Sequence, residues 1–405
     1  MQPSHPFTRR DLLAASAALP LLGHVGPLRA ADAAKATTTS PLKIALLTSL
    51  TGPFQSLGES MRAGLQLFLS QQGNEIAGRK VELLVEDDQG KPDEALRKVQ
   101  KLISRDQIDL LCGIIPANIA LAIRDTVHEA KLPTFVANAA ANALARSATS
   151  PYIFRVTKTS WMLGHTAALW THEKIEKSGG ITLASDYAAG REYVGDFIET
   201  FQKQGGSMGE SLWTPLGTSD FAPLIMKMAA AQPRFIYCFL AGADAVRFHK
   251  QMKTYGMQGR FPLVGPGALF DQEDVVPAAG DAVLGGISTF HQSPGAAASA
   301  DFVRAYTEAR GRLPGEASTS GHVSGQVMKA AIEAVQGDTS RFQAMKDFLL
   351  GNVVQTAFGP MAFDPRNNQA ILDIYVNEVK KGTDGKPLNT VLHTYKAVQD
   401  PGPAK

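Results

Sequence analysis

The chain has 405 residues, of which 44% are hydrophobic and 19% are charged, and its formal net charge is +2 at neutral pH. This composition is typical of an ordinary globular protein and excludes the disordered and collagen-like classes. The small net charge gives no basic field that would favour nucleic acid or an anionic membrane as the main partner. The length exceeds what a single hydrophobic core usually serves, so we expect two lobes.

Residues 1–33 are predicted to form a twin-arginine-type export signal. Arg9 and Arg10 precede an apolar stretch at residues 12–22, and small residues follow at 30, 31 and 33. The apolar stretch is too short to span a bilayer, so an export signal is favoured over a membrane anchor. We therefore exclude this segment from the fold and expect a soluble mature protein in the periplasm.

The two cysteines, Cys112 and Cys238, lie in the apolar runs "IDLLCGII" and "FIYCFLA". Although an oxidising compartment permits a disulfide, cysteines inside buried strands are more often isolated thiols. We predict two buried free thiols.

From Leu42 onward, β-rich runs alternate with segments of helical periodicity. Strands are predicted at "LKIALLTS", "KVELLVEDD", "IDLLCGII" and "LPTFVAN", and again at "GITLASD", "RFIYCFLA" and "FPLVGPG"; helices are predicted between them. This alternation indicates α/β lobes with parallel sheets covered by helices on both faces. Ligands of such sheets bind beyond the carboxyl ends of the strands, so the candidate loops are "TSLTGPFQSLG", "CGIIPANIA", "VANAAANAL", "ASDYAAGRE" and "VGPGALFDQ".

These loops lack the motifs of phosphate, metal and hydrolase sites. No Gly-Lys-Ser/Thr loop, G-x-G-x-x-G turn, H-E-x-x-H helix, C-x-x-C pair or G-x-S-x-G elbow is present in the sequence. We therefore predict no cofactor, no metal and no enzymatic activity. The loops instead carry small residues, which let backbone amides at helix starts approach an anion.

Several stretches resemble the type I periplasmic solute-binding proteins of ABC importers, the group typified by the leucine/isoleucine/valine-binding protein. They are "IALLTSLTGPFQSLGES", "VELLVEDDQGKPDEALRKVQKLI", "IDLLCGII", "SDYAAGRE" and "FGPMAFDPRNNQ". The resemblance implies two Rossmann-like lobes joined by three crossovers, which close on a small molecule and deliver it to a permease and its ATPases. It implies lobe 1 at 41–158 and 290–363, lobe 2 at 159–289 and 364–398, and a monomer.

The positions that matter in amino-acid-binding members of this family differ here. Hydroxyl residues that hold the ligand carboxylate match Ala117 and Ala140, and the acid that pairs with the ligand ammonium matches Gly267. An unpaired buried ammonium would cost several kcal/mol. We therefore expect a small carboxylate with an aromatic or apolar body, in preference to an amino acid.

The predicted ligand contacts combine backbone amides with flat apolar side chains. Tyr187 matches an aromatic position of the family, and the aromatic of the first loop is displaced from Leu57 to Phe54. Trp161 either closes over the pocket or packs at the first crossover. The full predicted set is Phe54, Leu57, Ala117, Asn118, Asn138, Ala139, Ala140, Trp161, Tyr187, Gly267 and Phe290.

Three alternatives remain open at this point. The chain is an amino-acid-binding member of the family, a ligand-sensing regulator on the same fold, or a hydrolase or transferase that uses the same cleft. The export signal disfavours a cytoplasmic regulator, and the missing nucleophile and base disfavour an enzyme.

Overall fold

A computed structural model describes residues 40–403, and the predicted export signal lies outside these residues. The strands are β1 (Leu42–Thr48), β2 (Glu75–Ile76), β3 (Arg79–Asp87), β4 (Leu110–Gly113), β5 (Thr134–Val136), β6 (Ile153–Arg155), β7 (Gly180–Ser185), β8 (Met208–Thr214), β9 (Phe235–Phe239), β10 (Leu263–Pro266), β11 (Ile287–Phe290), β12 (Val354–Thr356), β13 (Gly359–Phe363), β14 (Ala370–Lys381) and β15 (Pro387–Val398).

Helices and strands largely alternate as far as β11, as the sequence predicts, and then three successive helices are followed by four successive strands. The helices are α1 (Gln55–Gln71), α2 (Pro92–Lys101), α3 (Ala117–Glu129), α4 (Ser160–Lys174), α5 (Ala188–Lys203), α6 (Ala222–Ala231), α7 (Gly242–Thr254), α8 (Val275–Ala279), α9 (Ala300–Arg310), α10 (Glu316–Ala334) and α11 (Phe342–Gly351). Within residues 40–403, none of the helices is long and apolar enough to cross a membrane.

The first sheet has six strands in the order β2-β3-β1-β4-β5-β6. Its strands run parallel except for the short β2, which is antiparallel to β3. Residues on both faces of β1 are buried, because helices cover the sheet on both sides. This explains why the strand reads as a continuous apolar run.

The second sheet has nine strands, in the order β12-β13-β14-β11-β10-β9-β7-β8, with β15 paired to β14. Strands β7 to β11 pair in parallel, as predicted, whereas β14 runs antiparallel to β11 and β15. The expectation of purely parallel sheets is therefore incomplete. Because only a short turn at residues 382–386 joins β14 to β15, these two strands can pair only in the antiparallel sense.

The chain passes three times between the regions around the two sheets. The passages are residues 156–159 before α4, residues 291–293 after β11, and residues 364–369 before β14. The predicted fold class, α/β with two lobes, is confirmed. We refer to the first sheet with α1–α3, α9–α11, β12 and β13 as lobe 1, and to β7–β11, β14 and β15 with α4–α8 as lobe 2. Strands β12 and β13 pack on α10 and α11 of lobe 1, and β13 pairs with β14 where the two lobes adjoin.

The two cysteines are buried free thiols, as predicted. Burial raises the pKa of the Cys112 thiol to about 12, so this side chain stays protonated and packs as a small apolar group.

In lobe 1, helices α1 and α10 pack against each other through glycines. A Cβ atom at Gly64 would lie 1.8 Å from the carbonyl oxygen of Ser318, and one at Gly321 would lie 2.1 Å from that of Met61. The backbones therefore approach more closely than any side chain would allow. Glycine is required at these two positions for its size.

We predict that Gly64→Ala lowers the free energy of unfolding by about 1–3 kcal/mol, because the helices must separate to admit one methyl group. The matched control is Gly195→Ala, at an exposed position of α5 where a Cβ atom meets nothing within 4 Å. This control should raise stability by about 0.5–1 kcal/mol, since alanine is the better helix former. Urea unfolding of both variants measures the difference, and equal effects would contradict the packing explanation.

Candidate functional site

Two adjacent cavities lie between the lobes, at the carboxyl ends of the strands. The Lys158 cavity, of about 60 Å³, is lined by Phe54, Leu57, Ile115, Pro116, Ala117, Asn138, Ala140, Lys158, Tyr187, Ala189, Tyr193, Phe239, Ala241, Ala268 and Glu316. The Asp244 cavity, of about 250 Å³, shares five of these residues and adds Pro53, Ser56, Ser185, Leu216, Gly217, Gly242, Ala243, Asp244 and Arg247. Both lobes contribute to each cavity, and all five loops predicted from the sequence supply lining residues.

A buried ion pair occupies one side of the Lys158 cavity. The Lys158 ammonium contacts the Glu316 carboxylate, and their side chains are only 4% and 7% exposed. Lys158 Nζ also donates to the backbone carbonyl of Asn138 at 3.2 Å. Burial lowers the pKa of Lys158 to about 7; Arg155 acts in the same direction, whereas Asp271 opposes it.

A second polar group in this cavity, the Asn138 side chain, has a donor without a hydrogen-bond partner among residues 40–403. The Asn138 residue is 9% exposed, and within the described residues its Nδ2 atom makes no hydrogen bond. An unsatisfied buried amide costs about 1–3 kcal/mol, which a ligand oxygen can recover. Lys158 and Asn138 together therefore provide donors for an anion, facing walls formed by aromatic and aliphatic side chains.

The fully buried guanidinium of Arg155 supports the loop that carries Asn138. Arg155 donates to the carbonyl oxygens of Ala141 at 2.8 Å, Ala139 at 2.9 Å and Lys158 at 3.0 Å. Burial lowers the pKa of Arg155 to about 10. This arginine holds backbone in place, and its donors at these carbonyls do not face a ligand.

The loop after β5 also contacts lobe 2 through Asn142. The backbone N–H of Asn142 donates to Glu192 at 3.0 Å, and its side-chain Nδ2 donates to Asp196 at 2.8 Å. Its own Oδ1 accepts from the backbone of Trp161 at 2.9 Å. Burial raises the pKa of Asp196 to about 7, although the bond from Asn142 opposes this shift.

A second contact between the lobes is centred on Glu273, which follows β10 in lobe 2 and is 5% exposed. Its carboxylate accepts hydrogen bonds from several groups of lobe 1: Ser60 at 2.8 Å, Tyr306 at 2.8 Å, Ser318 at 2.7 Å and the Gly315 amide at 3.1 Å. Arg312 adds an ion pair at 2.9 Å.

The neighbouring Asp271 accepts from the Glu316 amide at 2.7 Å, so the same lobe 2 loop contacts the helix start that carries Glu316. Burial, and then the Glu273 carboxylate, raise the pKa of Asp271 to about 6. We call Asp271 and Glu273, together with these partners in lobe 1, the Glu273 contact.

Six of the eleven predicted site residues line the Lys158 cavity. They are Phe54, Leu57, Ala117, Asn138, Ala140 and Tyr187. Phe54 and Tyr187, the two aromatic residues predicted from the resemblance, thus line the same cavity, and their contact with a ligand stays a prediction.

The other five predicted residues lie elsewhere. Asn118 is exposed on the first turn of α3, and the Ala139 amide donates to the carbonyl of Ile114 at 3.1 Å. The ring of Phe290 packs on Gly267, where a Cβ atom would lie 2.0 Å from that ring. Trp161 stacks on His165, with ring centroids 4.2 Å apart, in a separate surface groove.

The two charged residues of the Lys158 cavity were missed because neither lies in one of the five candidate loops. Lys158 is part of the first crossover, and Glu316 opens α10, which follows the second crossover. Although the acid of the amino-acid-binding members is replaced by Gly267, Glu316 brings a carboxylate to the cavity from a different element. The sequence does show each of them as a single charged residue in an otherwise uncharged stretch, Lys158 in "VTKTS" and Glu316 in "PGEAS". That pattern could have indicated buried charges.

Across residues 40–403, histidine, cysteine and carboxylate side chains do not gather in groups of three that could hold a metal ion. Both ring nitrogens of the fully buried His291 lack partners within those residues, and burial lowers its pKa well below the usual value. The charged chemistry of the cleft is therefore that of Lys158, Glu316, Asp244 and Arg247.

Two α/β lobes that enclose a ligand-sized cleft define the class of two-lobed binding proteins. Residues 41–386 match the family model of the periplasmic binding proteins, and the chain belongs to this family. Within it, the chain is a type I periplasmic binding protein of ABC transporters. Members of this family are substrate-binding proteins of transport systems, with a small-molecule ligand and a permease as partners.

Relatives whose names point to different ligands are similar to this chain to a comparable degree. "Leu/Ile/Val-binding protein homolog 6" of Brucella melitensis is 28% identical, over 91% of this chain and 95% of its own. A substrate-binding protein from Sphaerobacter thermophilus is 33% identical, with a TM-score of 0.83 and coverage of 88% and 98%. A solute-binding protein from Rhodopseudomonas palustris, in complex with 3,4-dihydroxybenzoic acid, is 28% identical, with a TM-score of 0.84 and coverage of 89% and 99%.

We predict that Glu273→Gln lowers the free energy of unfolding by about 2 kcal/mol or more, because buried donors of lobe 1 lose a charged acceptor. Small-angle scattering should also report a larger radius of gyration, since the Glu273 contact holds the lobes together. The control is Glu333→Gln, which removes an exposed pair with Lys329 and should change stability by less than about 0.5 kcal/mol. Identical unfolding and scattering for the two variants would show that the Glu273 contact does not hold the lobes.

Proposed function

We propose that this chain is an exported binding protein that captures a small carboxylate with an aromatic or apolar body and delivers it to an ABC permease. The observation that carries the proposal is that two buried donors line one cavity. They are the Lys158 ammonium and the Asn138 side-chain amide, which has no hydrogen-bond partner among the described residues. An ammonium has three donors. Glu316 and the Asn138 carbonyl use two of them, which leaves one for a ligand oxygen.

The apolar walls fit the proposed ligand body. Phe54 and Leu57 from lobe 1 face Tyr187, Tyr193 and Phe239 from lobe 2, so a flat ring would contact both lobes at once. A ligand that touches both lobes stabilises the closed arrangement over the open one, and this preference is the basis of capture. We expect a monomer in the periplasm with no catalytic step.

A branched-chain amino acid is the second candidate, because Glu316 lies in the same cavity and could accept from an α-ammonium group. For that ligand Glu316 would serve as the acid that is missing at Gly267. The Leu/Ile/Val-binding relative supports this candidate, as the relative with bound dihydroxybenzoic acid supports the first. Charge variants at Glu316 separate the two.

In calorimetry, wild-type protein should bind benzoate or 4-methylpentanoate more tightly than leucine. Lys158→Met should weaken carboxylate binding by about tenfold to a hundredfold, since a charge-assisted hydrogen bond contributes about 1.5–3 kcal/mol. Glu316→Gln should retain or improve carboxylate binding, because it removes a nearby negative charge, whereas it should weaken leucine if leucine is the ligand.

The double variant Lys158→Met/Glu316→Gln serves as the folding control, because removal of both charges leaves no unpaired buried ion. It should unfold at a urea concentration close to that of the wild type while binding the carboxylate weakly. Leucine binding tighter than every carboxylate tested, together with its loss in Glu316→Gln, would replace the first candidate with the second.

Carboxylate affinity should also fall as the pH rises above about 7. The pKa of Lys158 in the free protein is about 7, so the ammonium is present below that pH and is lost above it, while carboxylate ligands stay ionised throughout. Calorimetry between pH 6 and pH 9 measures the effect, and Lys158→Met should abolish most of the slope. Constant affinity across that range would contradict the role of Lys158.

A further inference from the structure

The Asp244 cavity is not used by the ligand anchor described above. It shares five apolar lining residues with the Lys158 cavity, namely Phe54, Leu57, Tyr187, Phe239 and Ala241. Asp244 and Arg247 of α7 line this cavity and not the Lys158 cavity, whereas Lys158, Asn138 and Glu316 line only the Lys158 cavity. The two cavities therefore carry different charged groups and have apolar walls in common.

Two groups of the protein contact the Asp244 carboxylate, which still has acceptor sites for a ligand. Its Oδ2 accepts from the Gly217 amide at 2.9 Å, its other oxygen contacts the Arg247 guanidinium, and its side chain is 8% exposed. A carboxylate offers about four acceptor sites, so about two remain. Arg247 itself donates to the Thr218 carbonyl at 2.8 Å and is 35% exposed, which leaves Asp244 as the more buried polar group.

We propose that Asp244 determines ligand specificity by accepting a hydrogen bond from a hydroxyl group at the far end of the captured acid. The ligand class is then the hydroxyaryl carboxylates: the carboxylate lies at Lys158, the ring lies between Phe54 and Tyr187, and the hydroxyl lies at Asp244. This inference rests on the proposed function. A site that hydrogen-bonds a ligand hydroxyl discriminates strongly against the analogue that lacks it, because its own polar group is then left without a partner.

The test compares matched acids that differ only in the distal hydroxyl. Calorimetry gives the ratio of dissociation constants for benzoate over 4-hydroxybenzoate, and for 3-phenylpropanoate over 3-(4-hydroxyphenyl)propanoate. In the wild type, the ratio for at least one pair should be about 10 or more, as a hydrogen bond to a charged acceptor provides. Asp244→Asn should reduce this ratio at least threefold, and Asp244→Ala should bring it close to one.

The ratio separates specificity from structure, since a variant that merely loosens the loop near Gly217 weakens both members of a pair equally. Glu210→Gln is the control, because this exposed acid on β8 pairs with Lys227 and should leave every ratio unchanged. Terephthalate, which carries a second carboxylate in place of the hydroxyl, tests whether Arg247 binds the distal group instead. Tighter binding of this diacid than of 4-hydroxybenzoate would assign that role to Arg247 and overturn the proposal.

The measurements distinguish a failure of the proposed function from a failure of the role proposed for Asp244. If none of the carboxylates binds, both the proposed function and this inference are wrong. If the acids bind and depend on Lys158, but the ratios are near one or do not change in Asp244→Ala, the proposed function stands and the role of Asp244 is rejected.

Discussion

An ammonium group buried between two lobes is the constraint on which this site depends. Lys158 is 3% exposed, and it keeps its charge only if the protein or a ligand supplies negative partners where water cannot. Glu316 provides one partner from the start of α10, and Asp271 of lobe 2 in turn accepts from the Glu316 amide. The charge balance of the cavity therefore involves the first crossover, a helix of lobe 1 and a loop of lobe 2.

The contacts between the lobes explain how a small ligand can stabilise a large closed arrangement. The Glu273 contact and the bonds from Asn142 to α5 join the lobes outside the cavities. Closure then needs only a modest further contribution from the ligand, because a ligand shifts an equilibrium by its differential affinity for the two states.

Much of the architecture could be predicted, because local patterns determine it. Alternating apolar strands and amphipathic helices specify α/β lobes, and parallel strands place their following loops at one edge, where Phe54, Asn138 and Tyr187 do line the cleft. The position of the antiparallel C-terminal strands was harder to predict from the sequence, because β14 joins the sheet by pairing with the distant β11.

The charged groups of the site could not be predicted, because they converge from distant parts of the chain. Lys158 and Glu316 are separated by more than 150 residues and meet only through the second crossover and the packing of α10 on α1. Trp161 and Phe290 lie away from the two cavities for a related reason. An aromatic residue near a crossover packs as readily on His165 or Gly267 as on a ligand, and only the backbone path decides.

A crystal structure of the mature protein with benzoate tests the role of Lys158 most directly. We expect one carboxylate oxygen within about 3 Å of Lys158 Nζ or Asn138 Nδ2, and a ring that contacts Phe54 and Tyr187. A ligand carboxylate directed at Arg247, or a ligand bound outside the two cavities, would contradict this expectation.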